Sequence, residues 1–396
     1  MFLDTVLTRN PQLADTAAAL HAAGAIPPDT YVLDRDAIEA NAALLAAEGE
    51  RLGIAQWFVV KQLGRNPEAI RTVARHLPRF AAIDAPEAER LHATGARPGN
   101  LGHLVQIPER ALPRMLAWRP EAVTVFDADN ARAVSRAALE QGFTQDVLIR
   151  LAGAAGSVYP GQEGGVPLET LDAFATVVEE LPGVRLAGAT AFPCLQCEPD
   201  TGKPRPTPNL ALLLKAAEVL SGRGHRGLKV SAPGVTSMAT LPLLAELGAT
   251  HGEPGHALTG TTPLHAQDPW QPETPGYVYV TEVAHTLADG RPALHGGGFY
   301  PRAGIATALL PRSGLRLGVQ GAPAENIDYY RLLDPPPAHE RVRTGDTAVL
   351  AFRTQMFVTR STVAVVAGLS AGAPKLVGLH DSLGRPLTAS DGGDER

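Results

Sequence analysis

The hydrophobic positions of residues 55–255 repeat one unit, a short β-rich run followed by a turn and an amphipathic helix. The first run, Trp57-Phe58-Val59-Val60, is continuous rather than alternating, as in a strand buried on both faces. Asp84 and Asp127 stand at N-cap positions of two of the helices. Strands are predicted at 55–60, 79–84, 101–107, 122–127, 146–151, 186–192, 227–231 and 249–253. Eight strands separated by helices predict a parallel (β/α)8 TIM barrel, with a doubly wound sheet of six or seven strands as the alternative.

The pattern changes after the Pro-rich stretch "DPWQPETPG" at 268–276. Segments such as "YVYVTEVAHTL" and "DTAVLAFRTQMFVTRSTVAVVAG" are typical of strands joined by turns, with almost no helical period. We therefore expect a C-terminal all-β domain at 271–396 after a barrel at 31–270. The first 30 residues predict a helical segment that packs on the β domain.

Composition and charge narrow the classes of partner. The net charge of −6 and pI of about 6.1 provide no basic stripe, which disfavours nucleic acid and anionic membranes. No apolar run approaches the roughly 18 residues of a membrane span. Asp4 interrupts the only apolar patch of the N-terminal stretch, so we do not expect this stretch to be a signal peptide. Two cysteines do not form a disulfide framework, so we expect a cytoplasmic protein.

Candidate chemistry lies where the predicted strands end, because barrels of this kind build their active sites at the carboxyl ends of the strands. The first strand ends at Lys61 and the fifth near Arg150, and Glu253 ends the eighth. The seventh and eighth strands lead into "VSAPGVTS" and "HGEPGHALTGTTP", whose Gly, Ser and Thr residues suit a phosphate. Pyridoxal phosphate needs a lysine, a phosphate cup and a charged partner for its pyridine nitrogen. Taken singly, each feature also fits a surface lysine, ordinary turns or a solvated glutamate.

The order of strand, lysine, barrel, Glu-Pro-Gly and β domain resembles the alanine racemase/ornithine decarboxylase fold, the fold type III pyridoxal-phosphate enzymes. The motifs "VVKQLGRNPE", "EPGHALTGTTPLHA", "HGGGFYPR" and "FRTQMFVTRS" look like the YhfX-like branch, which is described as a group of candidate amino-acid racemases. This resemblance runs over nearly the whole chain.

The resemblance implies roles for individual residues. Lys61 matches the Schiff-base lysine, and Glu253 matches the glutamate that hydrogen-bonds the pyridine nitrogen in the decarboxylases. Arg150 stands where an arginine follows strand five in alanine racemases. Contacts to the cofactor phosphate are implied for Ser231, Gly234, Thr236, Gly255 and His256.

A racemase acting on an amino-acid substrate is the activity that the resemblance implies. An α-proton is removed and returned on the opposite face, which requires acid–base groups on both sides. Lys61 would serve one face. The other would be served by His295 or Tyr300 from the partner subunit of a homodimer, or by Cys194. Arg353 is a candidate for the substrate carboxylate, with surface or interface pairing as its alternative.

The sequence also departs from these relatives. Alanine racemases place an arginine at the position of Glu253, whereas a carboxylate favours a protonated pyridine nitrogen. The segment "KQLGRNP" lacks the phosphate-contacting tyrosine of alanine racemases. Neither the Cys-Asp-Gly segment of decarboxylases nor the Asn-His-x-Cys zinc segment of D-serine dehydratases is present. A decarboxylase or aldolase on the same fold, and a non-catalytic pyridoxal-phosphate carrier or regulator, remain as alternatives.

Several other residues have a structural interpretation. The pair Cys194 and Cys197 invites a zinc or redox site, but two further ligands at suitable spacing are not evident, so we interpret the pair as reduced thiols and expect no metal. His103 and His265 are interpreted as hydrogen-bonded structural histidines. Arg360 shares a predicted strand with Arg353.

Overall fold

The computed structural model describes residues 2–198, 201–302, 305, 307–323 and 325–387. Residues 388–396 of the predicted β domain lie outside this part. The chain divides into two compact units. One, called the barrel unit here, contains Ala42–Val59 and Val73–Ala257. The other, called the β unit, contains Met1–Asn41, Val60–Thr72 and Leu258–Arg396.

The barrel unit contains a nearly closed parallel barrel of eight strands. The strands are Ala55–Gln56, Arg79–Ala82, Arg97–Leu101, Ala122–Val125, Gln145–Arg150, Val184–Thr190, Lys229–Ser231 and His251–Gly252. From the second to the eighth, each strand pairs in parallel with the next one along the chain, and the eighth pairs with the first. A parallel bridge between Phe58 and Phe80 joins the first strand segment to the second. The (β/α)8 TIM barrel is therefore confirmed, and the alternative of an open doubly wound sheet is wrong.

Helices alternate with these strands. The α-helices of the chain are Phe2–Arg9, Pro11–Ala22, Arg35–Leu52, Pro67–Ala74, Ala85–Ala93, Leu112–Leu116, Ala128–Glu140, Leu171–Glu179, Pro208–Gly222, Leu241–Glu246 and Pro263–Gln267. Single 3₁₀ turns lie at Glu109–Ala111, Leu168–Thr170, His256–Thr259 and Met356–Val358. Asp84 accepts a hydrogen bond from the Glu87 N–H, and Asp127 accepts one from the Asn130 N–H, so both predicted N-caps are confirmed. Among the described residues, no helix is long and apolar enough to cross a membrane.

The third barrel strand differs from the prediction. It spans Arg97–Leu101 rather than 101–107, and Gly102 ends it with a φ of +83°. Pro98 and Gly99 look like turn residues in the sequence. Gly99 is required in the strand because a Cβ there would lie 2.2 Å from Cδ1 of Trp57. The indole that fills the barrel thus explains a strand that local propensity does not favour.

The barrel interior is arranged in levels along the strand direction. Because side chains alternate, Asp146, Leu148 and Arg150 of the fifth strand point to the same side. Leu148 belongs to an apolar cluster inside the barrel, together with Trp57, Val59, Ala81 and Ala122. This apolar level separates the amino ends of the strands from their carboxyl ends.

The β unit is built on a mainly antiparallel sheet of nine strands. They are Thr30–Asp34, Tyr277–Thr286, Pro292–His295, Thr307–Leu310, Leu315–Gly318, Tyr330–Leu332, Thr347–Leu350, Thr362–Ala367 and Lys375–Asp381. The predicted C-terminal β domain is confirmed as a fold. Thr30–Asp34, most of which the sequence analysis assigned to the barrel, instead pairs with Tyr277–Thr286 and Thr362–Ala367.

The first two helices belong to the same unit as this sheet. Phe2, Leu3, Val6 and Leu13 are buried in one apolar cluster with sheet residues such as Val278. Burial of these side chains stabilises the N-terminal segment on the sheet, since fully burying each large apolar side chain contributes about 1.5–3 kcal/mol.

Candidate active site

Three polar side chains lie in one row at the carboxyl ends of the fifth, sixth and seventh barrel strands. Arg150 pairs with Thr190, and Thr190 pairs with Ser231. All three are at most 1% exposed, and the Thr190 hydroxyl donates a hydrogen bond of 3.1 Å to the Ser231 carbonyl. Polar residues in a fully buried row are uncommon in a barrel core, which is normally filled with branched apolar side chains.

Arg150 and Ser231 have buried polar atoms without a hydrogen-bond partner among the described residues. These atoms are Nε and Nη1 of Arg150 and Oγ of Ser231. Burial lowers the pKa of Arg150 to about 10, while the negative charge of Glu253 acts in the opposite direction. The guanidinium therefore carries its charge at neutral pH. Unpaired buried donors cost free energy, so this row fits an anionic or strongly polar ligand.

Glu253 follows the eighth strand and is fixed through its backbone. Its N–H donates a hydrogen bond of 3.0 Å to Oγ1 of Thr236. Its side chain is 5% exposed, and its Oε2 lies 3.6 Å from Nε2 of His103, which is equally buried. The site thus combines a buried carboxylate with a buried guanidinium and an imidazole.

The loop after the seventh strand has a constrained backbone. Gly234 has a φ of +136°, and a Cβ there would lie 2.7 Å from the Leu195 carbonyl oxygen. Val235 has a φ of +50°, which is strained for a β-branched residue. The Thr240 hydroxyl donates to the Val235 carbonyl at 2.7 Å and accepts from the Ser237 N–H at 2.9 Å. Such over-determined strain is typical of loops that hold a ligand.

Gly255 and His256 follow Glu253 by two and three residues and are half-buried. His256 opens the short 3₁₀ turn His256–Thr259. Their assignment as phosphate-contacting residues stays a prediction.

Cys194 lies in the loop after the sixth strand and is completely buried. Its thiol donates a hydrogen bond of 3.3 Å to the Ala191 carbonyl, and its N–H donates to the Pro233 carbonyl. Burial raises the pKa of the thiol far above its ordinary range, although Arg150 opposes this shift. Cys194 is therefore a neutral thiol and a weak acid, poorly suited to exchange a proton. Cys197 is half-buried and lies in a hairpin of Leu195–Cys197 and Pro204–Pro206.

Lys61 belongs to the β unit and lies in a turn. The sequence analysis predicted a strand at 55–60 directly before it. The regular first strand ends at Gln56, and its continuation includes a hydrogen bond of 2.9 Å from the Val59 N–H to the Pro254 carbonyl. Lys61 follows Val59 by two residues along the chain and is half-buried.

The other predicted site residues also lie in the β unit. His295 ends the strand Pro292–His295 with its side chain 49% exposed, and its Nε2 lies 3.8 Å from Oε1 of Glu282. Tyr300 is 39% exposed, and its carbonyl accepts a hydrogen bond from Oγ1 of Thr354. The Arg353 carbonyl accepts from the Arg302 N–H at 2.7 Å, and its side chain is half-buried.

Between His295 and Tyr300, the Gly296-Gly297-Gly298 run packs closely on Asp29. A Cβ on Gly297 would lie 2.0 Å from Oδ2 of Asp29. Burial raises the pKa of Asp29 to about 6, against hydrogen bonds from Tyr279 and Ser361 that lower it. A side chain on Gly297 or Gly298 would therefore collide with the Asp29 carboxylate.

His103 is the site residue that sequence reasoning missed. Its placement in the middle of a predicted strand made it look structural, whereas it follows the end of the third strand by two residues. Gly102, next to it, is the signal that could have revealed the strand end. His265 fits its structural interpretation, because its two ring nitrogens contact the Thr262 hydroxyl and the Glu273 carbonyl oxygen.

Comparison with known proteins places this geometry in a family. Residues 33–263 match the model of the alanine racemase N-terminal domain, and residues 278–376 match that of the YhfX-like C-terminal domain. The chain belongs to the YhfX-like branch of the alanine racemase fold. It is 38% identical to the YhfX protein of Escherichia coli (strain K12) over 394 residues, which cover 98% of this chain and 100% of that protein.

Solved structures share the fold at low sequence identity. Alanine racemase of Clostridium difficile 630, in complex with cycloserine, has a TM-score of 0.62 at 13% identity, covering 89% of this chain and 98% of that one. D-threo-3-hydroxyaspartate dehydratase of Delftia sp. HT23 has a TM-score of 0.63 at 17% identity, covering 88% and 96%. D-threonine aldolase of Filomicrobium marinum has a TM-score of 0.64 at 16% identity, covering 90% and 95%. These similarities support the architecture of a barrel with a β domain. The three solved proteins, a racemase, a dehydratase and an aldolase, share this architecture but differ in activity.

Proposed function

We propose that this protein is a pyridoxal-phosphate-dependent amino-acid racemase. The observation that carries the proposal is the row of buried polar side chains at the carboxyl ends of the barrel strands. Arg150 and Ser231 have polar atoms there without a partner among the described residues, beside the buried carboxylate Glu253. This donor set fits a phosphorylated, strongly polar cofactor better than it fits an apolar ligand.

The residues divide the tasks of holding that cofactor. Lys61 would bind it covalently, and Glu253 would face the pyridine nitrogen. Arg150 would compensate the negative charge of the bound cofactor, because its buried guanidinium is charged at neutral pH. The phosphate would be bound by Ser231, Gly234, Thr236, Gly255 and His256.

When bound, pyridoxal phosphate acidifies the α-carbon of an amino acid by withdrawing electrons from it. Lys61 would take or return the α-proton on one face. His295 or Tyr300 would act on the other face, since both side chains are substantially exposed and therefore accessible. Cys194 is the weaker candidate, because burial keeps its thiol neutral and makes it a weak acid. Arg353 would bind the substrate carboxylate.

A lyase is the second candidate, because a dehydratase and an aldolase occur among the structural relatives. An aldolase or decarboxylase would use the same cofactor-binding residues and differ in which bond at the α-carbon breaks. We further propose a cytoplasmic homodimer. The small number of cysteines, two in the whole chain, and the exposed Ile327, Tyr329 and Tyr330 of the β unit support this proposal.

The first test concerns the covalent link. Purified protein is incubated with pyridoxal phosphate, reduced with borohydride and digested, and the labelled peptide is identified by mass spectrometry. We expect the adduct on Lys61 and its complete loss in Lys61→Ala. Lys229→Gln is the matched control, because Lys229 is also shielded from solvent but belongs to the ion pairs at the opposite end of the barrel. An adduct on another lysine would disprove the cofactor assignment.

The second test concerns the reaction. The loaded protein is incubated in D2O with a panel of D- and L-amino acids. A racemase incorporates deuterium at the α-carbon and converts each enantiomer of its substrate into the other. A new carbonyl product or CO2 would identify a lyase, and no exchange with any amino acid would favour the non-catalytic carrier.

A further inference from the structure

His103 and Glu253 form a buried pair at the carboxyl ends of the barrel strands. Nε2 of His103 lies 3.6 Å from Oε2 of Glu253, and each side chain is 5% exposed. This separation is longer than a hydrogen bond but within ion-pair contact. At such burial, the charge of one group strongly changes the free energy of ionisation of the other.

The imidazole of His103 is oriented by the ring of Phe192 and by the backbone turn at Gly102. The His103 ring meets the Phe192 ring edge-on, with centroids 5.8 Å apart and planes at 84°. The Phe192 ring in turn contacts Tyr159 at 5.9 Å. Gly102, with a φ of +83°, turns the chain after the third strand so that the next residue enters the site. The histidine therefore approaches the carboxylate from a defined direction.

We infer that His103 is a positioning residue that holds the Glu253 carboxylate, ionised and turned, toward the bound cofactor's ring nitrogen. The contact to the ring nitrogen rests on the proposed function, whereas the pair itself does not. The Thr236 hydroxyl fixes the backbone of Glu253, and His103 fixes its side chain through Nε2. Arg150 is a further titratable group of the barrel unit that interacts electrostatically with this carboxylate.

The same barrel unit contains a second histidine–glutamate pair that serves as a control. Nε2 of His251 lies 3.5 Å from Oε1 of Glu121, at the amino ends of the strands. The two pairs have the same chemistry and nearly the same separation. Only the pair of His103 and Glu253 lies at the end where the cofactor is proposed to bind.

The first experiment measures the protonation of the cofactor directly. Protein is loaded with pyridoxal phosphate labelled with ¹⁵N in the ring, and the nitrogen chemical shift is recorded for the wild type, His103→Gln, His103→Leu and His251→Leu. In His103→Leu we expect the signal to move toward the unprotonated value and the cofactor affinity to fall about tenfold, as for other residues that orient a ligand-binding group. His103→Gln should recover most of both, because its amide can donate from nearly the same position.

His251→Leu is expected to lower the thermal stability but to leave the nitrogen signal at the wild-type position. If His103→Leu also leaves the signal and the affinity unchanged, the inference is wrong. A shift in both leucine variants would equally overturn it, since the effect would then not be specific to the Glu253 pair.

The second experiment needs no cofactor. In the unloaded protein, the ring signals of the ¹³C-labelled histidines are followed against pH in the wild type and in Glu253→Gln. A neighbouring carboxylate stabilises a protonated imidazole, so its removal should shift the titration of His103 to lower pH and leave the ring signals of His251 at their wild-type positions. If borohydride labels no lysine, the proposed function fails while this titration still decides the pair. If Lys61 is labelled but His103 does not respond, the inference alone fails.

Discussion

Polar side chains that are buried or half-buried lie at both the amino ends and the carboxyl ends of the barrel strands, but their pairing differs between the two ends. At the amino ends, Glu121 is contacted by Nε1 of Trp57 at 3.1 Å, Nε of Arg79 at 3.1 Å and Nε2 of His251 at 3.5 Å. Lys229 lies 3.6 Å from Asp146 and 3.9 Å from Glu121. Every group of this cluster thus has an oppositely charged or hydrogen-bonding neighbour.

The carboxyl ends of the same strands carry the row of Arg150, Thr190 and Ser231. Two of these three residues have buried polar atoms that no described residue satisfies. Since Asp146 and Arg150 lie on one strand with Leu148 between them, the two environments are one short strand apart. The fold therefore can pair buried polar groups. It pairs them at the amino ends of the strands. At the carboxyl ends, where barrel enzymes bind their ligands, Arg150 and Ser231 have polar atoms without a partner among the described residues.

Replacing Arg150 is expected to produce the largest difference between the two ends. In Arg150→Met the affinity for pyridoxal phosphate should fall about 100-fold, because hydrogen bonds from a charged group are each worth about 1.5–3 kcal/mol. The unloaded protein should keep its Tm or gain stability, since an incompletely paired buried charge is replaced by an apolar side chain. Equilibrium dialysis and thermal unfolding measure the two effects. A large loss of Tm with unchanged affinity would show that Arg150 has a structural role instead.

Replacing Glu121 should have the opposite outcome. Burial raises the pKa of Glu121, but hydrogen bonds from His251 and Trp57 and the charges of His251 and Arg79 outweigh it and lower the value from 4.5 to about 2. A depressed carboxyl pKa stabilises the fold above the unfolded-state value, and this contribution disappears as pH falls through the folded-state value. Glu121→Gln should therefore cost about 2 kcal/mol at neutral pH, less than the full shift implies because the side chain remains partly exposed.

The pH dependence makes this second prediction specific. The stability difference between wild type and Glu121→Gln should shrink as pH falls from 4.5 toward 2, as measured by denaturant unfolding across that range. Cofactor affinity at neutral pH should be unchanged. A weakened affinity would show that the two ends of the barrel are coupled and would remove the basis of the comparison.

Most of the barrel could be predicted from sequence, because strands buried on both faces appear as continuous apolar runs and their ends mark the site. The positions of Arg150 and Glu253 at strand ends were predicted in this way. Arg97–Leu101 was misplaced because Pro98 and Gly99 resemble a turn, and Gly99 is explained only by the indole of Trp57 that packs on it. That error also hid His103.

Other features depend on contacts between residues that are distant in sequence. Thr30–Asp34 has the apolar run of a buried strand, but nothing local specifies that it pairs with Thr362–Ala367, more than 300 residues later. The hairpin of Leu195–Cys197 and Pro204–Pro206 was not predicted, because two of the three residues in its second strand are prolines. The missing partners of Arg150 and Ser231 likewise became visible only once the surrounding side chains were in place.

Two buried serines provide the smallest and most closely matched comparison. Oγ of Ser231 has no hydrogen-bond partner among the residues that the structure describes, whereas Oγ of Ser135 accepts a hydrogen bond of 3.0 Å from the Gly183 N–H, directly before the sixth barrel strand. Ser135→Ala leaves that N–H buried and unsatisfied, so it should cost about 1–3 kcal/mol of stability without changing cofactor affinity. Ser231→Ala should leave the stability of the unloaded protein unchanged and weaken pyridoxal-phosphate binding about fivefold, the value of one hydrogen bond of about 1 kcal/mol.

Thermal unfolding of the unloaded variants and equilibrium dialysis with the cofactor separate the two serine effects. If Ser231→Ala loses stability as Ser135→Ala does, its hydroxyl already has a structural partner. In that case the row at the carboxyl ends would be an ordinary buried network like the cluster around Glu121. If it loses affinity alone, the same side-chain type stabilises the fold at one end of the strands and binds the ligand at the other.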